Sequence, residues 1–258
     1  MKYLKQDKFG SISGIIQNIH PARWLVLGIL FITVLYPLLH LVDRSTIVEA
    51  KRSLSNYAHF WDWNSPYLGA LWGSVWISLA SVFFAGLIGV GLAFLFERVD
   101  LPAKSFLSAV ATLPIVLPPL VGVVAFVFLL GESGIIPRFL QYIFELSTPP
   151  FYLEGLSAII FVHAYSFYVY FFLFTRAAFQ RMDGAAIEAA QSLGASYPIV
   201  LGRVIFPQLR TAISSAAILV FMISMASFSA PFLFGGDYRV LTVEIYNSKL
   251  QGDMPMAM

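Results

Sequence analysis

Five stretches of the chain hold no Asp, Glu, Lys or Arg: residues 24–42, 63–96, 105–131, 155–175 and 211–236. Each is about as long as the roughly 20 residues that a helix needs to cross a hydrocarbon core. A charge at the centre of such a helix costs about 3 kcal/mol on insertion scales, so five uncharged windows are the pattern of a membrane protein. They predict an all-α, polytopic transmembrane bundle with five visible spans. The first window is long and ends at Asp43-Arg44 without a small-x-small cleavage pattern, so it reads as an anchor, not a cleaved signal. Ahead of it, Phe9, Ile12, Ile16 and Ile19 recur at helical spacing among lysines, which predicts a short helix lying on the membrane surface.

Composition agrees: 59% of the residues are hydrophobic and 12% charged, against roughly 25% charged in soluble domains. The basic residues outside the windows set the expected orientation. With the N-terminus cytoplasmic, Lys2, Lys5, Lys8, Arg23, Arg98, Lys104, Arg176, Arg181, Arg203 and Arg210 all fall on the inner side, the sign that the positive-inside rule requires. The net charge of +2 is thus a topology signal and gives no reason to expect nucleic acid as a partner. Without cysteine, disulfides and thiolate metal sites are excluded. The four histidines show no paired-ligand spacing, so no metal site is expected, and there is no GxxxxGK[ST] loop to cradle a nucleotide.

Three local patterns refine the bundle. In the second window Ser81, Ala85, Gly89 and Ala93 lie four apart, a stripe of small residues that lets a neighbouring helix approach closely in lipid. In the third, Pro114, Pro118 and Pro119 prevent a regular backbone ladder and predict a kink near the cytoplasmic side, tolerable where it lines a cavity. Between the fourth and fifth windows runs DGAAIEAAQSLGASYPIVLGRVIFP, residues 183–207. Ala186, Ala189, Ala190 and Leu193 predict the apolar face of a short helix with Glu188 on another face, and Gly194 ends it. Tyr197-Pro198 then begins a second short helix, giving a knob suited to docking in a groove of a soluble partner.

Glu188-Ala189-Ala190, then Gly194, Val204 and Phe206-Pro207 resemble the EAA signature of ATP-binding-cassette importer permeases: EAA, three residues, Gly, nine residues, Ile, any residue, Leu-Pro. Val204 and Phe206 replace Ile and Leu, and the spacing is intact. The resemblance covers residues from about 67 onward, and Met222 to Gly236 with Leu241 to Tyr246 is similar to the iron(III) branch. It implies a type I, MetI-like permease in the bacterial inner membrane, with residues 1–23 as a cytoplasmic segment, 24–42 as the first span, 43–67 as an external loop and 68–258 as the permease core. Within that core, residues 181–207 would couple to a separate ATP-binding subunit dimer through Glu188, Ala189, Ala190, Gly194, Pro198 and Pro207. ATP would bind on that partner, with no cofactor on this chain and no enzymatic activity of its own. A periplasmic or lipoprotein solute-binding protein and a second permease half, fused or separate, are the other implied partners. Such permeases usually have a sixth helix in each half, so the chain is expected to be a fragment stopping at its entry, Gly252 to Met258.

Polar groups within spans face the bundle interior. Ser224 and Ser227, with Pro231, are expected on one face of the fifth helix, Met225 and Ser229 adjoin it, and the fourth helix offers His163, Tyr165, Ser166 and Tyr168. Ser224, Ser227, Ser229, Met225, Tyr165 and Ser166 are therefore the candidate pathway lining; interhelical hydrogen bonding explains the same residues if no solute passes. The windows hold no carboxylate, so tight chelation of a hard cation in the spans is not expected. A small solute is expected as cargo, iron(III) first, with polyamine, phosphonate, thiamine or an oxyanion as alternatives. A secondary transporter would bury charged relays, which are absent. A non-transporting membrane scaffold is the reading from another class.

Overall fold

The computed structural model describes residues 21–48, 51–63 and 65–252. The surface helix expected around Phe9 to Ile19 and the sixth-helix entry beyond Gly252 lie outside these residues. The chain divides into two compact units, residues 1–59 with 248–258, and residues 60–247.

In the first unit, α1 (Arg23–Ser45) is a membrane-length apolar helix, regular except for a π-turn at Phe31–Leu35. Its large side chains are exposed from Trp24 to Val42. The region expected as a plain loop contains a tight antiparallel pair, β1 (Ile47–Val48) and β2 (Lys51–Arg52), buttressed by Arg52 donating to Asp43 at 3.0 Å. A short helix follows, α2 (Ser55–Phe60).

The second unit is built around α3 (Pro66–Arg98), which starts with Pro66 at its first position and the Ser65 side chain accepting from the Tyr67 N–H. Its 33 residues span about 50 Å. The small stripe Ser81, Ala85, Gly89 and Ala93 is buried along its length, against α7 (Gly155–Gln180). Phe171 and Phe172 of α7 fill the space the stripe leaves open. Hydroxyls that would be orphaned there turn back on their own helix, Ser78 to the Ser74 carbonyl and Ser81 to that of Ile77. The fifth span, α9 (Tyr197–Met225), packs on both, with Ala216 and Val220 meeting Ala85 and Phe171.

The third window is two helices. α4 (Lys104–Thr112) passes into a 3-10 turn at Leu113–Ile115, and α5 (Pro119–Leu130) starts anew. The break lies about 14 Å along from Lys104, at the three prolines where an interruption is expected. A second interruption at residues 131–134 separates α5 from the short helix α6 (Ile135–Ile143). The apolar length sufficient for a span is accordingly Pro119–Ile143, with Lys104–Ile115 a shorter apolar helix.

α8 (Gly184–Ser192) follows α7 and is capped by Asp183, whose side chain accepts from the Ala185 N–H at 2.9 Å. The fifth window ends as a helix at Met225, short of the expected Gly236. Pro231 has no N–H for the Ser227 carbonyl, which instead accepts from the Thr242 hydroxyl at 2.8 Å. α10 (Ser229–Phe234) then turns back, and its Ala230 and Phe234 join Ile77, Val123, Ile159 and Val162 in one cluster. The chain then returns over the start of α3, where the Leu241 N–H donates to Ser74 Oγ at 2.9 Å, and continues into α11 (Leu241–Leu250).

Candidate functional site

Where α4 breaks from α5, a cavity of about 600 Å³ opens between the break, the middle of α7 and the turn that follows α9. Seven residues expected at a pathway or kink meet in its wall: Pro114, Pro118, Pro119, Tyr165, Ser166, Ser227 and Ser229. Met225 does not line it, and Ser224 sits behind the wall, buried. Ser224 lies in the last turn of α9, Ser227 in the turn beyond and Ser229 begins α10, so these serines converge through a break between helices and not along one helical face as expected. Among the described residues no Asp, Glu, Lys or Arg lines the cavity.

His163 organises this wall. It is 2% exposed, with Nδ1 at 2.9 Å from Ser81 Oγ and 3.1 Å from Ser224 Oγ, and Nε2 at 2.9 Å from Ser227 Oγ. Ser81 gives its own proton to the Ile77 carbonyl at 2.7 Å, so it accepts from His163. The pattern assigns the ring proton to Nδ1, leaving Nε2 to accept from the Ser227 hydroxyl. One imidazole thereby joins α3, α7, the end of α9 and the turn to α10. The sequence shows His163 in an uncharged span, but its three serine partners, 61 to 82 residues away, emerge only in the fold. Replacing His163 by alanine leaves these hydroxyls without their shared partner, and a loss of about 2 kcal/mol is expected in thermal unfolding of the purified protein. His163→Asn, which keeps a donor at the Nδ1 position, is expected to lose less; equal stability of both variants and the parent would remove the histidine from this role.

The second candidate site is the knob formed by α8. Gly194, at φ +78°, ends α8 with the Gly194 N–H donating to the Gln191 carbonyl at 2.9 Å and the Ala195 N–H to that of Ala190 at 3.0 Å. The inward face holds Ile187 and Ala190, packed near Val200, Ile205 and Leu209. Ala186, Ala189 and Leu193, expected to share an apolar face with Ala190, point outward, and Leu193 is 88% exposed. Periodicity finds an apolar stripe without saying which stripe is covered, and Ile187, a larger hydrophobe than the alanines, takes the inner side. Glu188 is exposed. Pro198 does not start an independent short helix as expected: it sits in the first turn of α9, and a π-turn at Leu201–Ile205 carries the helix past Pro207, with the Phe206 N–H reaching the Leu201 carbonyl.

Beside the knob, Arg176 donates to Glu97 at 3.0 Å and to the Ser108 hydroxyl, and lies over the rings of Phe96 and Phe172 at 5.6 and 5.7 Å. This ties α3, α4 and α7 together near Arg98 and Lys104. Sequence reading counts Arg176 only as a topology charge. Among the described residues no three His, Asp or Glu gather where they could hold a metal ion.

Known proteins place this arrangement. The chain is 32% identical over 188 residues to a probable ABC transporter permease protein of Sinorhizobium fredii, covering 72% of this chain and 33% of that one. It is 30% identical over 173 residues to a putative ferric transport system permease protein of Haemophilus influenzae, covering 64% of this chain and 27% of that protein. It is 24% identical over 246 residues to a putative 2-aminoethylphosphonate transport system permease protein of Salmonella choleraesuis, covering 93% and 86%. The chain therefore spans about a third or less of the first two relatives. A bacterial ABC transporter involved in the import of alginate shares the fold, with a TM-score of 0.73 at 16% identity over 95% of this chain and 91% of that one. The family model for the inner membrane component of binding-protein-dependent transport systems matches residues 81–258, a stretch containing both the cavity and the knob, and the chain belongs to that family.

Proposed function

We propose that this chain is the membrane-spanning part of an importer that passes a small solute, iron(III) first among the candidates, across the bacterial inner membrane. The observation that carries the reading is the convergence of the helix break, the α7 hydroxyls and the serines after α9 on one uncharged cavity within a bundle of apolar spans. Irregular backbone is tolerated at membrane depth where it lines such a space. The likeness to a ferric transport permease supports iron(III), and the likeness to an aminoethylphosphonate permease supports phosphonate as the first alternative. With no carboxylate in the wall, the permease would not chelate a ferric ion tightly; an external solute-binding protein would select it. The knob at residues 184–193 would face the cytoplasm and dock on a separate ATP-binding subunit that supplies the energy, with the N-terminus on the same side and a second permease half completing the pathway.

Cysteines placed at Ser166 and Ser227 test the pathway. In the importer assembled with its ATP-binding subunit, both are expected to react with a small aqueous thiol reagent, at rates that change when a non-hydrolysable ATP analogue is added. Silence at both positions, beside a reactive cysteine at exposed Lys51, would reject the cavity as a route.

A further inference from the structure

The link from α5 to α7 leaves the bundle and rejoins it at one level. The Leu153 N–H donates to the Leu130 carbonyl at 2.8 Å, which puts the last residue of α5 beside the entry to α7. Glu132 follows the first point and Glu154 precedes the second, and the uncharged windows 105–131 and 155–175 stop there. Charges flanking the ends of two adjacent spans mark one membrane surface. It lies at the end of α7 away from the knob, which follows Gln180.

From that level α6 does not travel far. The Gly134 N–H donates to the Gly131 carbonyl at 2.8 Å, and a Cβ at Gly134 would fall 2.8 Å from the Leu129 carbonyl oxygen, so α6 starts against the last turn of α5. Its nine residues measure about 13 Å, and the chain is back beside Leu130 at Leu153. Pro119–Ile143 is apolar enough for a span. Residues 104–130, however, already offer about 40 Å at helical rise against roughly 30 Å of hydrocarbon, and the turn at 131–134 sets α6 apart from them.

α6 has three sides. Pro137 is buried and Leu140 half-buried, turned to the protein. Arg138 and Glu145 are exposed and share a polar side with Gln141 at helical spacing. Ile135, Phe139 and Tyr142, four and three residues apart, are 66%, 60% and 84% exposed, and Ile143 beside them is 52% exposed. Exposed Phe144, Phe151 and Tyr152 extend the aromatic content of the link, and such rings gather where spans meet headgroups. The helix end closes on itself. Glu145, at φ +48°, lets the Leu146 N–H reach the Gln141 carbonyl at 3.0 Å. The Gln141 side-chain amide donates to the Leu146 and Ser147 carbonyls at 3.3 and 3.2 Å. A terminus satisfied this way needs little water, as a place at the hydrocarbon boundary demands.

We propose that α6 lies along this membrane surface as an interfacial helix, with Ile135, Phe139, Tyr142 and Ile143 sunk among lipid acyl chains and Arg138 and Glu145 in the aqueous headgroup layer. Lipid is the occupant because the apolar side sits where two spans leave the hydrocarbon. Charges and large hydrophobes also part along a single helix, which suits a boundary between water and hydrocarbon and not bulk water. An anchor at that level fixes the depth of α5, whose first residues border the cavity. The proposal uses only the spans and their level, so it stands or falls apart from the importer reading.

The chain has no cysteine, so a single introduced cysteine carrying a nitroxide reports one site. Labels are placed at Phe139, Tyr142, Arg138 and Glu145, and at two references, exposed Ile29 in α1 and exposed Lys51, in the full chain in dioleoylphosphatidylcholine nanodiscs. Spin relaxation by oxygen, which concentrates in hydrocarbon, is compared with relaxation by a water-soluble nickel chelate. The oxygen-to-nickel ratio at Phe139→Cys and Tyr142→Cys is expected to be severalfold above that at Arg138→Cys and Glu145→Cys, and to fall between those at Ile29 and Lys51. The four side chains are exposed, so the labels leave the fold in place. Equal ratios at all four sites overturn the proposal, putting α6 in water if they match Lys51 and within a span if they match Ile29. Shielding from both reagents at Phe139 and Tyr142 overturns it too, by showing that a second copy or another protein covers this side.

Discussion

Valine at position 89 is expected to keep the bundle from closing. A Cβ built at Gly89 falls onto the Tyr168 carbonyl oxygen, and lies 2.6 Å from the Phe171 Cβ and 2.9 Å from the Phe172 amide nitrogen. Two of these three atoms are backbone, so no rotamer change relieves the overlap and α3 and α7 must move apart. The displacement would open the clusters that hold Ala85 with Phe171 and Ala93 with Phe172, since dispersion contacts between close helices are the main attraction in lipid. A loss of about 3 kcal/mol or more is expected in unfolding of the purified protein. Gly91, two residues along the same helix, faces open space: a Cβ there would meet nothing within 4 Å, and Gly91→Val is expected to stay within about 0.5 kcal/mol of the parent. Similar melting curves for the two variants would mean that the small stripe does not set the approach of these helices.

The second large effect is expected at the knob. If the outward face of α8 docks on an ATP-binding subunit, Leu193 is its largest apolar contribution, and Leu193→Glu sacrifices about 1.5–3 kcal/mol of side-chain burial. That corresponds to roughly ten- to hundredfold weaker association. Co-purification of the two subunits reads it directly, with membrane insertion and thermal stability of the permease unchanged because Leu193 touches solvent in the unbound fold. Glu188→Lys, also on an exposed position, is expected to weaken association in the same assay. Gly194→Val acts by another route: space around Gly194 is open, and the cost is a β-branched residue at φ +78°, which unwinds the turn that aims the face. Undiminished co-purification of Leu193→Glu and Glu188→Lys would place the docking surface elsewhere.

Charge-free windows make the spans legible, because the penalty for a charge in hydrocarbon acts on every residue of a span and leaves a mark the length of the helix. The prolines at 114, 118 and 119 likewise announce an interruption, since the missing N–H is a property of the residue itself. What the prolines do not tell is the form of the interruption, a 3-10 turn at Leu113–Ile115 followed by a new helix from Pro119. The uncharged window overruns the end of α9 by eleven residues because Ala226 to Gly236 is as apolar as the helix before it; hydropathy alone does not register a turn. His163 illustrates the larger gap. Its bonds to Ser81, Ser224 and Ser227 depend on which helices become neighbours, and no local spacing encodes that. The spacing from Glu188 to Pro207 points to the knob, yet the covered side of α8 is settled by Ile187 finding Val200, Ile205 and Leu209.

The π-turn at Leu201–Ile205 lets α9 absorb Pro207 without a stop. As a result one continuous helical rod of 29 residues, about 43 Å long, joins the knob to the hydroxyls around His163. Pivoted at its Tyr197 end, a rod of that length converts a tilt of about 5° into a swing of about 4 Å at Met225. Hydrogen bonds of 2.9 and 3.1 Å, such as those His163 makes to Ser227 and Ser224, do not survive so large an excursion. If a docked partner moved residues 184–193, a small displacement at that end of α9 would be magnified at the serines behind the cavity.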